Sequence, residues 1–248
     1  MVKKILVSQP KPTSDKSPYY DIANQFDVEL VFRPFIKVEG ITAQEFRKQK
    51  VNISQYTAIV FTSRHAIDHF FQLAKEMRIT MPETTKYFCV TETIALYIQK
   101  YAPYRKRKIF FGATGKIDDL IPSMVKHKTE KYLVPLSDVA SDSITKLLDS
   151  KSLNHKECVM YRTVSNDFTE EEKKTFDYDM ALFFSPAGIK SLKENFPELK
   201  AGELKIGTFG PSTAKAAQDA GFEPELVAPT KRDASMTGAL RHFLEDAE

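Results

Sequence analysis

The sequence predicts an α/β protein of two domains with parallel sheets, one domain discontinuous and the other inserted within it. Three observations lead there. Short apolar runs alternate with helix-period stretches almost from end to end. The chain of 248 residues has room for two domains of about 100–130 residues, each able to bury its own core. And one strand–turn–helix phrase is written twice, VFTSRHAIDHF at 60–70 and LFFSPAGIKSL at 182–192.

The elements follow in chain order. Lys4–Val7 reads as a strand and Pro18–Phe26 as its helix, with Val28–Phe32 as the next strand. Ala58–Phe61 leads through Thr62 to Ser63, a helix cap whose apolar followers Ile67, Phe70, Phe71, Ala74 and Met77 recur at steps of three and four. Strands are expected at Lys86–Val90, Lys108–Phe111, Lys131–Val134 and Cys158–Thr163, with a helix at Ser143–Leu148. Asp167 and the acids Glu170, Glu171 and Glu172 suit the positive start of another helix. After Met180–Phe184, Ser185 caps a helix with Pro186 at its first position, where a missing N–H costs nothing, and with Ile189, Leu192 and Phe196 as its stripe. Leu204–Phe209 and Glu225–Val227 complete the strands. Strands separated by room for one helix imply parallel pairing with crossover connections.

The repeat sets the domain organisation. Ser185 follows Ser63 by 122 positions (185 minus 63), and Ser212 follows Thr93 by 119 (212 minus 93). FFGATGKIDDLIPSM at 110–124 has its counterpart in VAPTKRDASMTGALRHFL at 227–244. Three matches in one order at nearly constant offset read as an internal duplication. Its copies begin near residues 56 and 178, with one βα unit, Lys3–Ser8 and Pro18–Phe26, ahead of the first and another, Lys131–Leu136 and Ser143–Leu148, ahead of the second. The expected arrangement is residues 1–34 plus 166–248 as the discontinuous domain and 38–162 as the inserted one, with crossings near 33–38 and 161–165.

Strand ends followed by helix starts are where open α/β sheets bind ligands, and free N–H groups there favour anions. The candidate binding turns are Thr62, Ser63 and Arg64; Thr91 and Thr93; Gly112 and Lys116; Ser185, Pro186 and Gly188; Gly210, Pro211, Ser212 and Thr213; and Thr230. None is a phosphate loop or a dinucleotide fingerprint, so a nucleotide site is not expected. Many anion-friendly turns facing one cleft suggest a ligand with several carboxylates. A formal charge of +3 gives no reason to expect nucleic acid. No apolar run reaches the roughly 18–20 residues of a membrane span, and MVKKILVSQPKP does not read as a signal peptide. Cys89 and Cys158 are expected as buried thiols of a cytoplasmic protein. His65 and His69 have the spacing of a metal pair, but HAIDH lacks the HExxH glutamate and a third ligand, so no metal is expected. The basic run Arg105 to Lys108 reads as a solvated loop.

Four stretches together resemble the uroporphyrinogen-III synthase family: FTSRHAI at 61–67, CVMYRT at 158–163, FFSPAG at 183–188, and the segment from Ile206 through Gly221 to Thr230. The resemblance implies two flavodoxin/Rossmann-like domains joined by a two-stranded connector. It further implies a lyase that closes the linear tetrapyrrole hydroxymethylbilane to uroporphyrinogen III, with loss of water and inversion of the terminal ring. No cofactor is implied, and a monomer is. Tyr161 matches the family's candidate proton donor. Thr91-Glu92-Thr93 stands where glycine is frequent, and Pro135-Leu136-Ser137-Asp138 where a basic pair is. The alternative is a non-catalytic module that binds a tetrapyrrole or another polyanion between the same two domains in a shared cleft.

Overall fold

The structure, a computed structural model, describes residues 2–140 and 142–247. In chain order the elements are β1 (Lys4–Val7), α1 (Pro18–Phe26), β2 (Glu29–Phe32), β3 (Ile36–Gly40), α2 (Ala43–Lys48), β4 (Ala58–Phe61), α3 (Arg64–Glu76), β5 (Lys86–Cys89) and α4 (Glu92–Tyr97). They continue with β6 (Ile109–Phe111), α5 (Ile121–Lys126), β7 (Tyr132–Ser137), α6 (Ser143–Ser150), β8 (His155–Ser165), α7 (Glu170–Lys174), β9 (Met180–Phe183), α8 (Pro186–Asn195), β10 (Lys205–Phe209), α9 (Pro211–Asp219), β11 (Pro224–Ala228) and α10 (Met236–Glu245). The chain divides into two compact units, Met1–Lys37 with Val164–Glu248, and Val38–Thr163.

The first unit carries a five-stranded sheet in the order β11-β10-β9-β1-β2, all of it parallel. Its central strand, MALF at Met180–Phe183, is buried at every position, as a strand covered by helices on both faces must be. One face packs against α1 and α10 through Ile22, Leu240 and Leu244. The other packs against α8 and α9 through Ile189, Leu192 and Ala217. Gly207 belongs in this tight middle: a Cβ there would lie 2.5 Å from Leu182.

The second unit's six-stranded sheet runs β3-β8-β7-β4-β5-β6, with β4–β5, β4–β7, β5–β6 and β7–β8 parallel. Placed side by side, β11-β10-β9-β1-β2 and β6-β5-β4-β7-β8 match position for position. The strands matching β1 and β2 come last in the second unit and first in the first unit. The duplication is therefore circularly permuted, which explains why the written repeats did not divide the chain into halves.

The chain crosses between the units inside β3 and β8, which are paired neighbours. Side chains fasten the segments next to these crossings. Arg33 holds the Glu172 carboxylate through Nε at 3.1 Å, donates to the carbonyls of Pro34 and Asp167 at 2.8 Å, and lies 3.6 Å from the Phe168 ring centre. Ser191 bonds Ser165 at 2.8 Å and donates to the Phe35 carbonyl, while Asn195 accepts from the Phe168 N–H at 2.7 Å. In the second unit Gln49 pairs with both backbone groups of Val159, at 2.8 and 2.9 Å.

Several sequence expectations change. The crossing near 33–38, for which the residues themselves predict no strand, holds β3, which with β8 makes the two-stranded connector that the resemblance implies. β7 and β8 extend well beyond Lys131–Val134 and Cys158–Thr163. Val28, Val90, Lys108, Lys131, Phe184 and Leu204 lie just outside their strands, and β11 gains a residue at each end.

Candidate functional site

In a parallel sheet all strand ends share one edge, and in each unit the expected turns fall on it. Ser63 caps α3 by accepting from the Ala66 N–H at 3.0 Å, and Thr91 caps the short α4 by accepting from Ile94 at 3.3 Å. In the other unit Ser185 caps α8 by accepting from Gly188 at 3.3 Å. Gly210, at φ +88, turns the chain into α9 with Pro211 at the first helical position. An L side chain is strained at that φ, so glycine is required there. Thr91 and Gly210 occupy the same place in the two copies, as do Thr93 and Ser212. Thr93, Pro186, Pro211 and Ser212 are exposed, and Thr62 is half-buried.

Tyr161 joins this edge from the connector strand. Its hydroxyl lies 3.1 Å from Ser63 Oγ. Its position is set by the end of β7, where Ser137 pairs with it in register and the Asp138 N–H donates to its carbonyl at 3.1 Å. The next residue is anchored as well: Arg162 reaches Glu45 at 2.9 Å and Glu39 at 3.5 Å. The Thr42 backbone N–H, and Arg162 after it, hold the Glu45 carboxyl at about 2.

Two histidines cover the Tyr161 ring, His69 at 5.5 Å and 23° and His65 at 6.2 Å and 42°. The i, i+4 pair read from the sequence thus serves the tyrosine, and no cluster of metal-ligating groups occurs among the described residues. His69 Nδ1 is buried without a partner and packs under Gly40, where a Cβ would come within 2.7 Å of it. Burial first, and His65 beside it second, push the His69 imidazole below its ordinary value, so the ring facing Tyr161 is neutral near pH 7.

Other expected residues have different surroundings. Thr213 is 1% exposed and so is not offered at the surface of its unit. Gly112 is buried, its missing Cβ filled by Asp119 at 2.7 Å. Asp119 accepts from the backbones of Ala113 and Thr114 at 3.1 and 2.6 Å, closing that loop on itself. Thr230 is exposed but its hydroxyl accepts from Arg232 and Asp233 at 3.2 and 2.9 Å. Arg64 lies 5.3 Å from the Tyr97 ring centre, and Lys116 is exposed. Lys231 and Arg232 are exposed with no ion pair among the described residues.

Sequence reasoning missed Ser235, which caps α10 by accepting from Gly238 at 3.1 Å; a serine before the apolar run MTGALRHFL was the available signal. It also missed a shallow apolar cavity of about 290 Å³ at the same edge, lined by Tyr19, Phe184, Phe209 and Met236. Phe184 and Phe209 lie 6.3 Å apart at 30°, a shelf on which a flat heteroaromatic ring can rest. The first unit therefore offers an apolar shelf flanked by capped helix starts. The second offers a phenol, two histidines and further helix starts.

Among the described residues no helix is long and apolar enough to cross a membrane. Residues 19–238 match the family described as uroporphyrinogen-III synthase HemD. The chain is similar to the uroporphyrinogen-III synthase of Saccharomyces cerevisiae, 24% identical over 245 residues with 87% of each chain covered. It is likewise similar to that of Schizosaccharomyces pombe, 22% identical over 243 residues, covering 92% of this chain and 93% of the relative. The crystal structure of uroporphyrinogen-III synthetase from Helicobacter pylori shares the fold, with a TM-score of 0.59 at 14% identity over 98% of this chain and 99% of that one.

Proposed function

This chain belongs to the uroporphyrinogen-III synthase family, a family of lyases, and from that premise we propose that it closes hydroxymethylbilane to uroporphyrinogen III. Water is lost and the terminal pyrrole is inverted in the product. The observation that carries the reading is the Tyr161 hydroxyl held 3.1 Å from Ser63 at the carboxyl edge of its sheet.

The substrate is a flexible chain of pyrroles with acetate and propionate arms. Its carboxylates suit the helix starts at Ser63, Thr91, Ser185 and Gly210, where free N–H groups and the dipole attract negative charge. Its flat rings suit the Phe184 and Phe209 shelf. Thr62, Arg64, Thr93, Lys116, Pro186, Gly188, Pro211, Ser212 and Thr230 belong to the same turns, and Lys231 and Arg232 add positive charge beside them.

Ring closure begins when the electron pair of the substituted pyrrole expels the terminal hydroxyl. That carbon–oxygen bond breaks as the oxygen takes a proton from Tyr161 and leaves as water. The electron-rich terminal ring then attacks the cationic carbon through its already substituted α-carbon. The bond from that carbon to its original methylene bridge breaks, and the ring's free α-carbon captures the methylene cation so released. The proton lost there as aromaticity returns restores the tyrosine. General acids of this kind contribute about 10²–10⁴-fold. Positioning a flexible chain with its ends together contributes as much again or more. The pyrrole supplies the electrons, so this chemistry draws on no cofactor. The working enzyme is proposed to be a cytoplasmic monomer.

Replacing Tyr161 by Phe keeps the ring and its histidine stack and removes the hydroxyl, and with it the proton and the Ser63 contact. The expected result is a rate of type III formation lower by about 10²-fold, with a melting temperature lower by no more than about 5 °C. An unchanged rate removes Tyr161 from the role of donor. Exposed Glu92 and Asp138 at this edge favour the second reading, a non-catalytic tetrapyrrole binder, in which tetrapyrrole binding occurs without turnover.

A further inference from the structure

A second cavity lies at the opposite edge of the second unit's sheet, beside the amino ends of β5 and β6. It measures about 580 Å³, the size of a ligand pocket rather than a packing void. Its walls are aromatic and aliphatic: Phe71 and Tyr101 stack at 4.8 Å and 8°, with Tyr87, Ile79, Met81 and Ile109 around them. Phe71 was expected on the buried stripe of α3, yet it is only partly buried and turns its face to this space.

One polar group is set into the apolar wall. Thr85 is 3% exposed, and its Oγ1 has no hydrogen-bond partner. A buried hydroxyl left unpaired costs about 1–3 kcal/mol, and a ligand that hydrogen-bonds to it removes that cost. The rim carries a second signal. Lys75, Arg78, Arg105 and Lys108 all line the cavity, against Glu83 as the one carboxylate. Glu83 is engaged by Arg105 at 3.0 Å, and its carbonyl accepts from Lys108. Lys75 and Arg78 have no partner among the described residues. The basic run taken from the sequence as a solvated loop is thus half of a charged rim.

We propose that this cavity binds an amphipathic small-molecule anion, an aromatic ring system carrying one carboxylate, sulfonate or phosphate group. The rings pack against Phe71, Tyr87 and Tyr101, the Thr85 hydroxyl shares a hydrogen bond with a polar atom on the ligand body, and the anion stays at the rim with Lys75 and Arg78. The site does not depend on the proposed reaction, since α3 is capped by Ser63 on the other edge and only its second half, from Phe71 on, reaches the cavity.

The test uses the full chain and two probes with related ring systems, 8-anilinonaphthalene-1-sulfonate and the neutral N-phenyl-1-naphthylamine, titrated by fluorescence. The native protein is expected to bind the sulfonate at one saturable site. The variant Lys75→Gln with Arg78→Asn removes two unpaired charges, and asparagine tolerates the left-handed backbone of residue 78 at φ +56. It is expected to weaken the sulfonate roughly fivefold, as two exposed ion pairs would, and the neutral amine less than twofold. Thr85→Val is expected to weaken both probes, which share the anilino N–H as the polar group on their ring body, while leaving the melting temperature equal or higher. The proposal is overturned if the folded protein shows no saturable site, or if the charge variant weakens both probes equally or neither. A Thr85→Val protein with unchanged affinity overturns the role of the hydroxyl.

Discussion

Ser63 and Ser185 stand at matching places in the two copies, and substituting alanine at each separates what a cap does from what Tyr161 needs. Both hydroxyls accept from a helix N–H, Ser63 from Ala66 at 3.0 Å and Ser185 from Gly188 at 3.3 Å. Losing either cap costs about 1 kcal/mol, a fall of about 3 °C in melting temperature for a chain of this length. Only Ser63 also touches the Tyr161 hydroxyl, at 3.1 Å. A hydrogen bond of that kind is worth a net 0.5–1.5 kcal/mol, approximately, which converts to about 2–10-fold in rate. Ser63→Ala is therefore expected to lower kcat for type III formation by about 2–10-fold, whereas Ser185→Ala leaves kcat unchanged. Ser63→Thr keeps a hydroxyl and restores kcat. The assay is steady-state formation of the type III isomer with thermal melts on the same samples. Equal kcat values in the two alanine variants, with equal losses of stability, refute the reasoning: Ser63 would then be a cap and nothing more.

Two further predictions concern the scaffold. Gly207→Ala places a methyl 2.5 Å from Leu182 and 3.1 Å from Met180, so calorimetry is expected to show a loss of about 1–3 kcal/mol with kcat preserved. Arg33 first, and the Thr169 backbone second, hold the Glu172 carboxyl at about 2, against an ordinary value of 4.5. A carboxylate depressed on folding stabilises above its unfolded value, and the contribution fades as pH falls from about 4.5 toward 2. Glu172 is 40% exposed, so solvent screening limits the contribution to under about 1 kcal/mol. Arg33→Gln is expected to shrink the difference between melting temperatures at pH 6 and pH 3, and equal differences in both proteins contradict the linkage.

What the sequence made legible was local. Strand–turn–helix units show in the apolar runs, and the caps at Ser63 and Ser185 show because a serine before a helical stripe has one economical use. β3 escaped because IKVEG is short, half-buried and ends in glycine, so it reads as a crossing. β7 was cut short because Pro135 resembles a strand end, yet the strand runs on to Ser137. β8 was cut short at its start because His155, Lys156 and Glu157 interrupt any apolar run; its pairing with β7 from His155 to Tyr161 is set by tertiary contact.

The site divided along the same line. Turns could be placed from their own residues, but the use of each side chain could not. Thr213 points inward, Gly112 is filled by Asp119, and the Thr230 hydroxyl is spent on its own loop. The stacking of His65 and His69 on Tyr161 joins α3 to β8 across nearly a hundred residues, and no local pattern encodes that. Phe184 and Phe209 form a shelf only because β9 and β10 are neighbours in the sheet.

The most direct test supplies hydroxymethylbilane enzymatically, adds the purified chain, oxidises the product and separates the isomers. Without catalysis the bilane closes to the type I isomer. The account predicts that type III dominates in proportion to the amount of protein added. Type I alone, from protein that melts cooperatively, contradicts it.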